Sequence, residues 1–142
     1  MTKTFNELLE KVAACPTKTV AVAVAQDDAV LEAVAEAKKR GIANAILVGD
    51  KEKIEEVAKS ISLDLSDYEI IDVKDNYEAA LTAVKLVHDG KADMYMKGLI
   101  DTKSFLKSVL DKEVGLRTDK TLSHVCIFDI EGHDGLLFLS DV

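Results

Sequence analysis

The chain has 142 residues, a formal net charge of −8, 48% hydrophobic and 31% charged residues, the size and balance of one globular domain. The acidic balance excludes a nucleic-acid duplex or an anionic lipid surface as partner, because both demand a net basic face. Cys15 and Cys126 have neither disulfide nor metal-ligand spacing and read as reduced thiols, Cys126 as a small hydrophobe buried in a strand. The N-terminus lacks the apolar core of a signal peptide, and no window is long and apolar enough for a membrane span; the expected compartment is the cytoplasm.

Residues 5–14 have the spacing of a short amphipathic helix, with Phe5, Leu8, Leu9 and Val12 on one face, Thr4 as cap and Pro16 as stop. Residues 18–25 form an almost uninterrupted apolar strand, as in a sheet covered on both faces. A helix follows from Asp27 or Asp28 to Arg40, with an expected inward stripe of Ala29, Val30, Ala33, Val34 and Ala37, and Gly41 ends it. The rhythm continues with a strand at 45–48, a helix at 51–61, a strand at 68–72, a helix at 77–88, a strand at 94–96 and a helix at 102–110. Inward positions in the helix at 77–88 are Ala80, Leu81, Val84 and Val87. Strands alternating with helices predict a parallel sheet with crossover helices. The rhythm then breaks: strands at 122–130 and 136–139 flank the Gly-rich turn 131–135 and predict a hairpin, hence a mostly parallel but mixed sheet. The expected fold class is α/β, a three-layer αβα domain spanning 1–142.

Chemistry concentrates where the strand at 94–96 ends. Lys97-Gly98 leads into Asp101-Thr102 at a helix start. Ligands of open α/β sheets sit outside the carboxyl ends of strands, and a helix N-terminus there offers free N–H groups to an anion. Lys97 reads either as a solvated strand-end lysine or as an anion-binding one, with Gly98 letting a ligand approach the backbone. Asp101 and Thr102 both suit an N-cap. A carboxylate repels an anion, so Thr102 is the better direct contact. Arg117, in the Gly115-Leu116-Arg117-Thr118 loop, reads equally as an exposed loop residue or as a bidentate phosphate ligand. Ser123 and His124 open the next strand; His124 is a possible proton carrier or a packed strand-end residue, while His88 and His133 read as surface or turn residues. Glycine-rich nucleotide loops of the GxGxxG and GxxxxGK types are missing, as is any recognisable triad, zinc spacing or carboxylate pair. The residues themselves point to an α/β domain with an anion site near Lys97, Thr102 and Arg117.

The chain resembles the phosphate acetyl/butyryltransferases, most closely their butyryl branch, through several blocks in order: Thr4-Phe5-Asn6-Glu7, VAVAVAQDDAVLEAVAEAKKRGIANAILVGD, GKADMYMKGLIDT, FLKSVLDKEVGLRT, LSHVCIFD and LLFLSDV. The resemblance implies an enzyme that moves a short acyl group, butyryl or branched-chain, between coenzyme A and inorganic phosphate, in an isocitrate/isopropylmalate dehydrogenase-like fold. Coenzyme A is then a substrate, no cofactor is covalently bound, no metal is needed, and the complete protein is a homo-oligomer. It further implies that Lys97, Gly98, Thr102 and Arg117 bind substrate phosphate groups and that Ser123 and His124 line the pocket; no catalytic residue is assigned. Family chains continue into a second domain, and the end at Ser140-Asp141-Val142, straight after an apolar strand, has the look of the N-terminal part of a longer two-domain enzyme. Asp119 stands where the family pattern has Gly, and Gly135 where it has a basic residue. Two other readings are phosphate acetyltransferase and a folded, inactive domain that binds only an anion or a partner.

Overall fold

The computed structural model describes residues 2–140. Two compact units emerge: residues 17–117, and the segment up to Pro16 together with the segment from Thr118 onward.

The larger unit holds β1 (Lys18–Ala23), α2 (Asp28–Lys39), β2 (Ala43–Gly49), α3 (Lys51–Ser60), β3 (Glu69–Asp72), α4 (Asn76–His88), β4 (Met94–Lys97) and α5 (Thr102–Val109). Its four strands pair in the order β3-β2-β1-β4, all parallel, with Ala21 opposite Ile46 on one side and Tyr95 on the other. Alternation along the strands sends side chains to two separate cores. Ala21, Ala23, Ile46 and Val48 pack with Ala79, Ala80, Ala83 and Leu86 of α4, with Phe105 of α5 against the same cluster. Val22, Ala45 and Leu47 face Leu31 and Val34 of α2 and Ile54 and Ala58 of α3. The three-layer αβα expectation holds for this unit. Fully buried Leu31, Leu47 and Ile54 each contribute about 1.5–3 kcal/mol through burial.

Two packing expectations need correction. In α2 the inward residues are Leu31 and Val34, whereas Ala29 and Ala33 are exposed. Alanine is light enough to be tolerated on either face, so the larger Leu31 sets the helix rotation. In α4 the buried set is Ala79, Ala80, Ala83, Val84 and Leu86, with Leu81 and Val87 half-buried.

The smaller unit holds α1 (Phe5–Ala13), β5 (Val125–Phe128) and β6 (Leu137–Ser140). Thr4 caps α1, its side chain accepting from Glu7 N–H, and Leu8, Leu9 and Val12 are half-buried. The Phe5 N–H donates to Asp129 Oδ2 at 2.8 Å, and Lys3 pairs with Asp134 at 2.9 Å. β5 and β6 form the expected antiparallel hairpin, Val125 opposite Ser140 and Phe128 opposite Leu137. The mixed sheet is not formed: the hairpin is a two-stranded sheet of its own, and the four-stranded sheet is all parallel. The 122–130 strand shortens to Val125–Phe128, the length its partner can pair. Cys126 is half-buried rather than part of a core, because a two-stranded hairpin offers little cover. No described helix is long and apolar enough to cross a membrane.

Candidate functional site

The strand order reverses direction at β1: α2 and α3 lead outward to β2 and β3, and α4 returns the chain to β4 on the other side. This switch point falls at the carboxyl ends of β1 and β4, the usual ligand position in such sheets. The strand at 18–25 stops two residues early because Val24 turns into the left-handed region, φ +59°. A β-branched residue there stores about 1–3 kcal/mol of backbone strain. Neighbours on both sides hold it. Ala25 N–H donates to Val48 O at 3.1 Å, Leu99 N–H to Val24 O at 2.8 Å, and Gly98 N–H to Ala23 O at 2.9 Å. A Cβ on Gly98 would collide with the carbonyl oxygens of Ala23 and Val24. The bare backbone at Gly98 is therefore needed for contact with β1, whatever a ligand requires.

Lys97, last in β4, is exposed, and its Nζ donates a long 3.4 Å hydrogen bond to the Gly98 carbonyl. Four residues on, Asp101 is the N-cap of α5 and accepts from Ser104 N–H at 2.8 Å. Hydrogen bonds from the Ser104 hydroxyl and then its N–H hold the Asp101 carboxyl below the ordinary carboxylate range. Thr102 is exposed at the first turn of α5.

The same arrangement recurs along this edge. Asp27, Asp50, Asp75 and Asp101 cap α2, α3, α4 and α5. Each carboxylate already occupies the N–H groups that an anion would otherwise take, and each cancels part of the helix dipole. Anion attraction must then come from side-chain cations. Lys74 is committed to Asp50 at 2.8 Å, with Glu52 and Asp72 beyond, and Lys53 also lies against Asp50. The Lys74 hydrogen bond holds buried Asp50 below the usual carboxylate range. Among the described residues, Lys97 and Lys103 have no carboxylate within ion-pair distance, which leaves them as the available positive groups at the β4–α5 turn.

Arg117 lies elsewhere in the larger unit. Gly115 O is 2.9 Å from His88 Nδ1 at the end of α4, and Leu116 N–H donates to Val109 O at 2.8 Å at the end of α5. These bonds tie the loop to the amino-terminal edge of the sheet, opposite the edge that carries Lys97. Arg117 itself is exposed, with no hydrogen-bond or ion-pair partner among the described residues. The structure thus joins Lys97, Gly98 and Thr102 in one turn and places Arg117 on a separate loop. Ser123 and His124 belong to the smaller unit, exposed and just before β5 rather than opening it; a His124 ring nitrogen lies 3.4 Å from Cys126 Sγ.

Sequence reasoning passed over Val24. Valine in an apolar run gives no sign of a left-handed turn.

A family model described as phosphate acetyl/butaryl transferase matches residues 4–82 and 73–142. The chain belongs to this family. It is 64% identical to phosphate butyryltransferase of Clostridium beijerinckii over 141 residues, 99% of this chain and 47% of that protein. Identity to the phosphate butyryltransferase of Clostridium acetobutylicum is 58% over the whole chain and 47% of the relative. The chain spans about half the length of the curated relatives it matches. Among solved structures, a phosphotransacetylase from Streptococcus pyogenes superposes with a TM-score of 0.73 at 17% identity, over 93% of this chain and 49% of the other. A branched-chain phosphotransacylase from Enterococcus faecalis gives 0.66 at 24% identity, over 88% and 42%. These likenesses support the α/β fold, and the sequence matches carry the family assignment.

Proposed function

We propose that this chain is the N-terminal half of a two-domain phosphate acyltransferase that moves a butyryl or branched short acyl group between coenzyme A and inorganic phosphate. The observation that carries the reading is the 64% identity to a phosphate butyryltransferase across 99% of the chain. In this reaction a phosphate oxygen attacks the thioester carbonyl, the tetrahedral intermediate collapses, the C–S bond breaks, and coenzyme A leaves as a thiolate that takes up a proton. Holding phosphate against the carbonyl supplies much of the rate through positioning, and positive groups stabilise the oxyanion. Lys97 gives the turn a free positive charge, with Gly98 and the start of α5 at Thr102 beside it. Arg117 on its own loop, and Ser123 and His124 in the smaller unit, are the remaining substrate contacts of this reading. Coenzyme A is a substrate and no cofactor is covalently held. The finer fold is the isocitrate/isopropylmalate dehydrogenase-like one, the assembly a homo-oligomer and the compartment the cytoplasm.

A phosphate acetyltransferase is the second reading, favoured by 37% identity to phosphate acetyltransferase of Rhizobium meliloti over 129 residues. The higher identity to the butyryl enzymes ranks it second. The test is phosphate-dependent release of coenzyme A thiol from butyryl-, isobutyryl- and acetyl-coenzyme A, with the complete protein. Release that is faster with the butyryl or isobutyryl thioester supports the first reading; release fastest with acetyl selects the second. A folded protein with no phosphate-dependent release defeats both. Lys97→Gln is expected to raise KM for phosphate about tenfold, the loss of one charge-assisted contact.

A further inference from the structure

The two cysteines have different surroundings. Cys15 is exposed just past α1, and its thiol donates to the Lys11 carbonyl oxygen at 3.4 Å. Cys126 is half-buried in β5, and its Sγ lies 3.4 Å from Nε2 of exposed His124, two residues earlier in the chain. With the ring proton on Nδ1, Nε2 is an acceptor, and the imidazole is placed to take the thiol proton. A thiol beside an imidazole is a common arrangement for an activated sulfur nucleophile. Alternation along β5 and β6 puts Phe128, Leu137 and Leu139 on the Cys126 side of the hairpin, with Leu139 directly opposite Cys126. These three side chains are 38–43% exposed, an open apolar surface beside the thiol.

We propose that Cys126 is an S-acylation site, taking a short acyl group from an acyl-coenzyme A thioester with His124 as general base. The identity of the donor rests on the functional reading above. The Cys126 sulfur attacks the thioester carbonyl while His124 takes its proton. The tetrahedral intermediate collapses, the C–S bond to coenzyme A breaks, and the leaving thiolate recovers the proton from the imidazolium. One thioester replaces another, nothing is oxidised or reduced, and no further reactant is needed. The exchange is therefore close to thermoneutral, and the acylated fraction follows the ratio of acyl-coenzyme A to free coenzyme A. A butyryl or branched chain on Sγ has apolar neighbours in Phe128, Leu137 and Leu139. Cys15 has a backbone carbonyl as its partner, which takes no proton, so the same donor should leave it largely unmodified.

The experiment incubates the complete protein with butyryl-coenzyme A in the absence of phosphate, quenches in acid, and reads intact mass and peptide maps. The expected result is one butyryl group on Cys126, removed by neutral hydroxylamine and by excess free coenzyme A, and at least about tenfold more of it than on Cys15. His124→Asn and His124→Gln are each expected to slow the labelling at least about tenfold, through loss of the general base. Cys126→Ser and Cys126→Ala are expected to abolish the hydroxylamine-sensitive adduct on that peptide. Circular dichroism melts establish which variants are folded. No adduct on Cys126, an equal adduct on Cys15, or an unchanged labelling rate in a folded His124 variant overturns the proposal. Phosphate-dependent release of coenzyme A by the wild type, measured alongside, tests the functional reading separately. Release without labelling defeats the Cys126 site alone, and labelling without release defeats the functional reading alone.

Discussion

Gly98→Ala is the sharpest probe of the site's scaffold, because two opposite signs are available to it. Gly98 does not adopt a positive φ, so its backbone conformation suits alanine. With free space around it, alanine there would stabilise the protein by roughly 0.4–1 kcal/mol, by restricting the unfolded chain. Space is not free. The new methyl would strike the carbonyls of Ala23 and Val24, backbone atoms held in place by β1 pairing on both sides. If the chain moves away, the Gly98–Ala23 and Leu99–Val24 hydrogen bonds of 2.9 and 2.8 Å go with it, at about 1 kcal/mol each. If it stays, overpacking costs about 1–3 kcal/mol. The two routes together bracket a destabilisation of about 1–3 kcal/mol, read as a lower urea midpoint at unchanged slope by circular dichroism. Gly90→Ala is the control. Nothing lies within 4 Å of a Cβ there, but φ is +74°, so it should cost about 1–2 kcal/mol from backbone strain and leave the β4–α5 turn intact. A Gly98→Ala protein as stable as wild type, or more so, would refute the claim that β1 dictates this glycine.

Three further outcomes are expected. Leu31→Ala should cost about 2–5 kcal/mol, whereas Ala33→Gln on the exposed side of α2 should stay within about 0.5 kcal/mol of wild type; urea titration of both variants checks the corrected helix rotation. Asp50, whose carboxyl is held low by Lys74, should favour the folded state above the ordinary carboxylate range and lose that contribution as pH falls through its lowered folded value; Asp50→Asn should therefore flatten the acid limb of a stability–pH profile, and an unchanged limb would show that the pair has no such role. Tyr95→Phe should cost about 1–2 kcal/mol in a thermal or urea melt, since it removes the contacts of the phenolic oxygen with Ser108 Oγ at 2.9 Å and Ala80 O at 3.2 Å beneath α5.

The alternation of strands and helices is legible because both periods are written in large side chains: Leu47 and Ile54 leave no doubt about which face is inward. Legibility fails where alanine replaces them. Ala29 and Ala33 in α2 match an inward stripe as well as an outward one, and only the position of Leu31 decides. The hairpin is legible from its glycine-rich turn, but local pattern says nothing about which sheet a hairpin joins, since any extended segment offers the same edge hydrogen bonds. The site divides in the same way. Lys97, Gly98 and Thr102 are contiguous in the sequence, and the turn that joins them follows from strand end and helix start alone. Arg117 groups with them by chemistry alone, because phosphate suits arginine. The hydrogen bond between His88 and Gly115 that fixes its loop connects residues 27 positions apart, and no local signal records it.

Val24 is a different case. A turn that needs a positive φ is normally signalled by Gly, Asn or Asp, residues that adopt it at low cost. Here the position is fully buried between two cores' worth of apolar neighbours, so a polar turn-former would lose more by desolvation than valine loses by strain. Burial and turn geometry make opposing demands on one residue, and burial decides its identity. The strain is then balanced by hydrogen bonds from β2 and β4, and those same bonds align the Lys97–Gly98 turn with the end of β1. A reading confined to local propensity misses such a residue because the forces that select it come from strands distant in sequence. The geometry of the Lys97–Gly98 turn depends on it all the same.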